Sequence, residues 1–281
     1  MQTYSIVFLD IDGTLLDASY QVSPRTKALL KKIEKKGVPV VLCSARSPAG
    51  IDLVAGQLEL HGPIVCYNGS LILSTDRSIL FDQGMTAEDA VRFKQFAASA
   101  FPEVNVSSYL YNVWLVDSAQ APDIRRESAV SRHEPLEGPL QAAVQSIPHV
   151  HKLLCMGTPL QILQLQEASV QKFPALEPLR SGPIYLEVTA KGISKRNAVE
   201  FLQKQYQFSR EEIAACGDNF VDLEMLRYAG LGIAMGNAPE EVKRAADMVT
   251  ASNLEDGVYI ALKNLRFKQI KQNCPVKAGE K

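Results

Sequence analysis

Tyr4-Ser5-Ile6-Val7-Phe8-Leu9 runs directly into Asp10-Ile11-Asp12-Gly13-Thr14-Leu15, and the join between the two halves decides how the chain is read. The first half is short and almost continuously apolar, as a strand buried on both faces is. The second half sets two carboxylates two residues apart and follows them with a glycine that lets the backbone turn sharply. Ligands of open α/β sheets bind outside the carboxyl ends of the strands, which is where Asp10 and Asp12 fall. Asp-x-Asp-Gly also opens calcium loops. In that register Leu15 would occupy the position that requires glycine and Gln21 that of the bidentate glutamate, so the calcium loop fails. A plain surface turn is the remaining alternative for the motif taken alone.

Working outward, Ser23 is a good N-cap, Pro24 suits the first helical position, and Gly37 follows a Lys-rich helix end. Val38 to Cys43 reads as a second buried strand ending at Ser44-Ala45-Arg46, and Ile64 to Tyr67 as a third, with a helical stretch between them and the turn Asn68-Gly69 after. Strands alternating with helices predict right-handed βαβ units and a Rossmann-like parallel sheet, an α/β fold. Hairpin-like strands and alternating patterns then interrupt the alternation, with Thr86 capping a helix towards Ala100, Gly138, Pro139 and Pro148 punctuating a further one, and helix Gln161–Phe173. This reads as an inserted α+β module. The expected organisation is residues 1–82 as the first core segment, 83–187 as the insertion and 188–281 as the second core segment. In the last, Ser209 and Glu212 make a capping-box pattern, and the tail after Phe267 is expected to fray.

Other strand ends supply further chemistry. Ser44 ends the second strand, Lys195 begins a helix in Gly192-Ile193-Ser194-Lys195, and Gly217-Asp218-Asn219-Phe220-Val221-Asp222 follows a later strand. Singly, a strand-end serine is more often a cap and a helix-start lysine is usually solvated. At the ends of different parallel strands, two carboxylate pairs, a hydroxyl and an ammonium converge. Arg46 reads either as a further phosphate contact or as cover for the cleft rim. Asn68 and Asn237, each beside a glycine, are turn formers or cleft-edge contacts. Trp114 and Tyr111 read as core or surface. His149 and His151 share a face of a strand-like segment and are weak metal candidates, having no carboxylate or cysteine beside them in sequence.

With these motifs in order, the sequence resembles the haloacid dehalogenase superfamily, in its Cof-type branch with a C2-type α+β cap. The likeness extends through Gly232-Ile233-Ala234-Met235-Gly236-Asn237-Ala238 and Glu255-Asp256-Gly257-Val258; the inserted module matches only in position and pattern. The resemblance implies a Mg²⁺-dependent phosphatase acting on small phosphate monoesters, sugar phosphates or similar metabolites, through an aspartyl phosphate. It implies Asp10 as nucleophile and metal ligand, Asp12 as general acid/base that also offers its backbone carbonyl to the metal, and Asp218 as a metal ligand. Phosphate oxygens would meet the Ile11 amide, Ser44, the Ala45 amide and Lys195. Asp222 would sit near the metal or bond Lys195, with Asn219 in support. One position departs: Val221 stands where the family carries an asparagine that helps bind phosphate, which implies altered or reduced activity. Two other readings use the same residues, a phosphotransferase or mutase and a low-activity regulatory binding protein.

The 281 residues are 46% hydrophobic and 22% charged with a net charge of −1, so no global field argues for nucleic acid, membrane surface or an acidic partner. No apolar run approaches a bilayer span, and the start lacks the layout of a signal peptide. Five cysteines, Cys43, Cys66, Cys155, Cys216 and Cys274, are odd in number without a CxxC pair, which suits free thiols in a reducing cytoplasm. The expected partner is a small phosphorylated metabolite, with no nucleic acid and no membrane, and the chain is expected as a monomer or weak homodimer.

Overall fold

The computed structural model describes residues 2–145, 147 and 149–270; Pro148 and the tail from residue 271 on, Cys274 included, lie outside the described residues, while the amides of Lys268 and Ile270 are bonded to the carbonyls of Tyr4 and Lys36. The chain forms two compact units, one from residues 1–46, 51–81 and 194–281 and the other from 47–50 and 82–193.

An eight-stranded sheet organises the first unit. Its spatial order is Met248–Val249, Leu231–Ala234, Ile213–Gly217, Ile6–Asp10, Val40–Cys43, Ile64–Cys66, Leu71–Leu73 and Ile79–Asp82. The first six run parallel, and Leu71–Leu73 turns back antiparallel against Ile64–Cys66. Every residue of Ile6–Asp10, Val40–Cys43, Ile64–Cys66 and Ile213–Gly217 is buried, which is why these strands read as apolar runs rather than alternating patterns. Ile6, Phe8, Val41, Cys43, Ile213 and Ala215 pack with Ala198, Val199 and Leu202 of the helix Lys195–Tyr206. Asp10 lies opposite Cys43 in the register, and Leu9 opposite Cys216. The Asp10 run, the turn after Cys43 and the loop after Gly217 therefore leave neighbouring strands at one edge.

In the second unit, a six-stranded sheet runs Leu176–Gly182, Tyr185–Ala190, Lys152–Met156, Asn105–Leu110, Val113–Val116 and Leu136–Glu137. Phe93 and Ala97 of Ala87–Ala100 and Ile162 and Leu165 of Pro159–Lys172 pack on Val106, Leu110, Leu153, Cys155, Leu186 and Val188. Thr86 caps the first of these helices and accepts from the Asp89 amide. The sequence does not announce every element here, and two of them show why. The helix Pro122–Ser131 buries only Ile124, so it has no apolar stripe to betray it. Leu176–Gly182 is an edge strand with a proline, Pro178, and three exposed residues, a pattern that hides a strand. The segment after Gly138 holds one short helix, Leu140–Ala143. His149 and His151 do not share a strand, because His149 pairs with Thr86 in a two-residue strand that ends before His151. His151 is fully buried and uses both ring nitrogens, Nδ1 accepting from the Tyr111 amide at 3.1 Å and Nε2 facing Asp82 Oδ1 at 3.1 Å.

Cys43, Cys66, Cys155 and Cys216 are free and buried. No helix among the described residues is long and apolar enough to cross a membrane.

Phe8 is fully buried at the centre of the parallel sheet. Phe8→Ala should therefore destabilise the protein by about 3–5 kcal/mol through lost transfer energy and the cavity left behind. Urea denaturation checks this; an unchanged midpoint would contradict the placement of the core.

Candidate active site

Lys195 is the first residue of its helix, whose N-cap Ser194 accepts from the Asn197 amide at 3.2 Å. A lysine in that place is ordinarily solvated, yet this one is 1% exposed. Its Nζ donates to Asp10 Oδ1 at 2.5 Å and to Asp222 Oδ1 at 2.6 Å. A buried ammonium is tolerated only where charges and acceptors surround it, and the two carboxylates supply both. They also hold its pKa above the ordinary lysine value against the opposing effect of burial.

Asp222 is consumed by this arrangement. Its Oδ1 takes the lysine, and its Oδ2 accepts from the amides of Asp218 at 3.0 Å and Asn219 at 2.9 Å. It folds the loop after Ile213–Gly217 and leaves Asp218 facing Asp10. The approach is close enough that a Cβ on Gly217 would lie 2.5 Å from the Asp222 Cβ. Gly13 is constrained twice over. Its φ is +83°, and a Cβ there would stand 2.4 Å from Asp218 Oδ2, so only glycine lets the Asp10–Asp12 turn lie against Asp218.

Carboxylate oxygens of Asp10, Asp218 and Asp222 lie within 4.8 Å of one another. Three carboxylates against one ammonium leave two negative charges uncompensated. Burial, and after it the Asp222 charge, drives the Asp10 carboxyl well above its ordinary range despite Lys195. Asp218 is pushed up to about 6, mainly by burial and by Asp222, while the Thr14 hydroxyl opposes the rise. Thr14 Oγ1 donates to Asp218 Oδ1 at 2.8 Å, and Asn237 Nδ2 lies 3.4 Å from Asp218 Oδ2 and 2.9 Å from the Gly13 carbonyl. A set of hard oxygen donors with surplus negative charge fits a divalent cation such as Mg²⁺. Asp10 and Asp218 are the residues of this cluster that could hold it, since Asp222 is spoken for.

The sequence-chosen residues are brought together unevenly. Asp10, Asp218, Asp222 and Lys195 form one contact network. Ser44 is buried immediately after Cys43, with Ala45 beyond it, and its Oγ accepts from the Arg46 amide at 3.2 Å. Ile11 is buried and its carbonyl accepts from the amides of Leu15 and Leu16 at 3.0 Å, closing the turn. The Asp12 side chain does not join the acidic cluster. Both its oxygens accept from Arg46, at 2.8 Å from Nε and 2.6 Å from Nη2. Asn219 caps the turn Phe220–Asp222 by accepting from the Phe220 amide at 2.7 Å, and Val221 is 40% exposed. Thr14 carries no signal of its own in the sequence beyond its place in the first motif, and Asn237, a turn former or a cleft-edge contact by its sequence, reaches Asp218 and the Gly13 carbonyl.

A sequence model of the haloacid dehalogenase-like hydrolases matches residues 7–262. The chain belongs to that family. It is 36% identical over 259 residues to a Haemophilus influenzae protein named "Putative phosphatase", covering 92% of this chain and 97% of that protein. A Bacillus subtilis relative named 5-amino-6-(5-phospho-D-ribitylamino)uracil phosphatase is 27% identical, over 92% of this chain and 94% of its own length. Among solved structures, a haloacid dehalogenase-like hydrolase from Bacteroides thetaiotaomicron superposes with a TM-score of 0.84 at 29% identity, covering 93% of this chain and 99% of that one. The mixed α/β architecture is that of this family.

The raised Asp218 pKa sets a pH test. Between the ordinary carboxyl value of 3.8 and about 6, the folded protein keeps a proton that the unfolded chain has released. Stability from this group is therefore present at low pH and is lost as pH rises through that window. A cation at Asp218 would take over the proton's role, so added Mg²⁺ should raise Tm at about pH 7.5, above that window, and less at about pH 5, within it, where the proton is still held. Asp218→Asn should abolish the difference. An equal Mg²⁺ effect at both pH values would contradict the charge deficit.

Proposed function

We propose that the protein is a Mg²⁺-dependent phosphatase that hydrolyses small phosphate monoesters through a phosphoryl group carried on Asp10. The observation that carries this reading is the buried Lys195 bridge, which fixes one oxygen of Asp10 and, through Asp222, brings Asp218 beside it. A lone carboxylate is a weak nucleophile towards a phosphate dianion, because like charges repel.

Mg²⁺ bound by Asp10, Asp218 and the Asp12 backbone carbonyl would offset the negative charge of the phosphoryl oxygens. In the reading proposed here, the other phosphoryl oxygens are met by the Ile11 amide, Ser44, the Ala45 amide and Lys195, so that positioning and electrostatics supply most of the catalysis. Asp10 attacks phosphorus as the bond to the leaving oxygen breaks, and Asp12 gives that oxygen a proton. Asp12 then takes a proton from the water that attacks the acyl phosphate, and the bond from phosphorus to Asp10 breaks. Free phosphate and the alcohol are the products.

The substrate belongs to the small phosphorylated metabolites. The Bacillus subtilis relative is named for a phosphoribitylamino-uracil, so sugar and sugar-alcohol phosphates head the panel to be screened. The four cysteines among the described residues are buried free thiols, which suit a reducing compartment such as the cytoplasm.

Hydrolysis should stop on chelation with EDTA and return with Mg²⁺. Ca²⁺ should inhibit, since its looser and larger shell does not enforce the same geometry; full activity in EDTA would contradict the reading. Asp10→Asn should abolish turnover while the protein stays folded, and more than a few per cent residual activity would sink the covalent route. Val221→Asn should add a hydrogen bond to a charged oxygen, worth about 1.5–3 kcal/mol, and raise kcat/KM roughly ten- to a hundredfold. An unchanged or lower kcat/KM on one good substrate, with normal thermal stability, would show that Val221 leaves nothing missing.

A further inference from the structure

We propose that Arg46 is a positioning residue for Asp12, clamping from two sides the carboxyl group that delivers the proton to the leaving group. The proposal rests on the phosphatase reading and adds to it a residue that the reading does not need.

Asp12 differs from its neighbours in being poorly held by burial. Its side chain is 49% exposed, whereas that of Asp10 is 9% and that of Asp222 is 0% exposed. A half-exposed aspartate on a turn would sample its staggered rotamers, yet proton transfer works only from a well-aligned donor. Arg46 removes that freedom. Nε meets Oδ2 at 2.8 Å and Nη2 meets Oδ1 at 2.6 Å, a fork-to-fork contact that fixes both where the carboxylate sits and how it is turned.

The clamp is itself anchored. The Arg46 amide donates to Ser44 Oγ at 3.2 Å, and its carbonyl accepts from the Tyr67 amide at 3.2 Å. Arg46 is thereby tied to the ends of Val40–Cys43 and Ile64–Cys66, while Asp12 is tied to the end of Ile6–Asp10. Stability does not account for the pair. An ion pair as exposed as this one contributes little to folding, and it joins turns whose backbones are already bonded. The proton is the one Asp12 takes from the hydrolytic water of the preceding turnover; the prong facing that oxygen lets go as the proton is bound, the second keeps the carboxyl aimed, and the proton passes to the leaving oxygen as its bond to phosphorus breaks.

Leaving-group dependence separates positioning of the acid from the other things an arginine can do. Aryl esters such as p-nitrophenyl phosphate lose a stable phenolate without needing a proton, whereas an alkyl ester such as glycerol phosphate needs one. Arg46→Ala should lower kcat/KM for glycerol phosphate roughly ten- to a hundredfold, within the range that acid–base catalysis contributes. It should leave p-nitrophenyl phosphate nearly unchanged, with an unaltered thermal melt. Arg46→Lys should restore only part of the loss, because an ammonium is a point charge and cannot fork. In an Asp12→Asn background, Arg46→Ala should cost nothing further. Equal losses on the two esters would assign Arg46 to the phosphate they share and overturn the clamp. So would no loss on either, or a loss that persists in the Asp12→Asn background. Failure of the unsubstituted protein to hydrolyse both esters would overturn the phosphatase reading itself, and the clamp with it.

Discussion

A single buried ammonium organises the site. Lys195 Nζ lies between Asp10 and Asp222 with almost no solvent, and each of the three groups would be costly to bury without the others. Asp222 turns that requirement into architecture, because its second oxygen gathers the amides of Asp218 and Asn219. The helix that carries Lys195, the strand that carries Asp10 and the loop that carries Asp218 are all drawn to one centre. Removing Lys195 would leave two buried carboxylates facing each other without a cation, so the ammonium is the group on which the arrangement depends.

The same centre is built out of balance. Asp218 adds a third carboxylate to a cluster with one cation, and burial raises both Asp10 and Asp218. Burial and mutual repulsion thus favour protonation of the cluster, and a divalent ion would relieve the same excess of negative charge. Asp12 is kept apart from the cluster by Arg46, which separates the carboxyl groups that share the cluster's charge from the one that is to move protons.

Much of this was legible in the sequence because it is local. The apolar run before Asp10, the hydroxyl after Cys43 and the Asp218–Asp222 loop each declare themselves within a few residues, and parallel-sheet topology places strand ends together. The helix Pro122–Ser131 was not legible, since a single buried residue leaves no period to detect. Nor was the direction of a side chain. Asp10 and Asp12 look equivalent in the string, yet one turns inward to Lys195 and the other outward to Arg46, a residue 34 positions away. Asn237 offered only its glycine neighbour as a clue, and its contact with the Gly13 carbonyl joins segments 224 residues apart.

The central claim is that a phosphoryl group is transferred to Asp10. Rapid quenching during turnover, followed by hydroxylamine treatment and peptide mass analysis, reads this directly, because hydroxylamine converts an aspartyl phosphate to a hydroxamate. The expected result is a substrate-dependent hydroxamate on Asp10 and on no other carboxyl group. Turnover at full rate with Asp10 unmodified, or with the hydroxamate on another aspartate, would contradict the account.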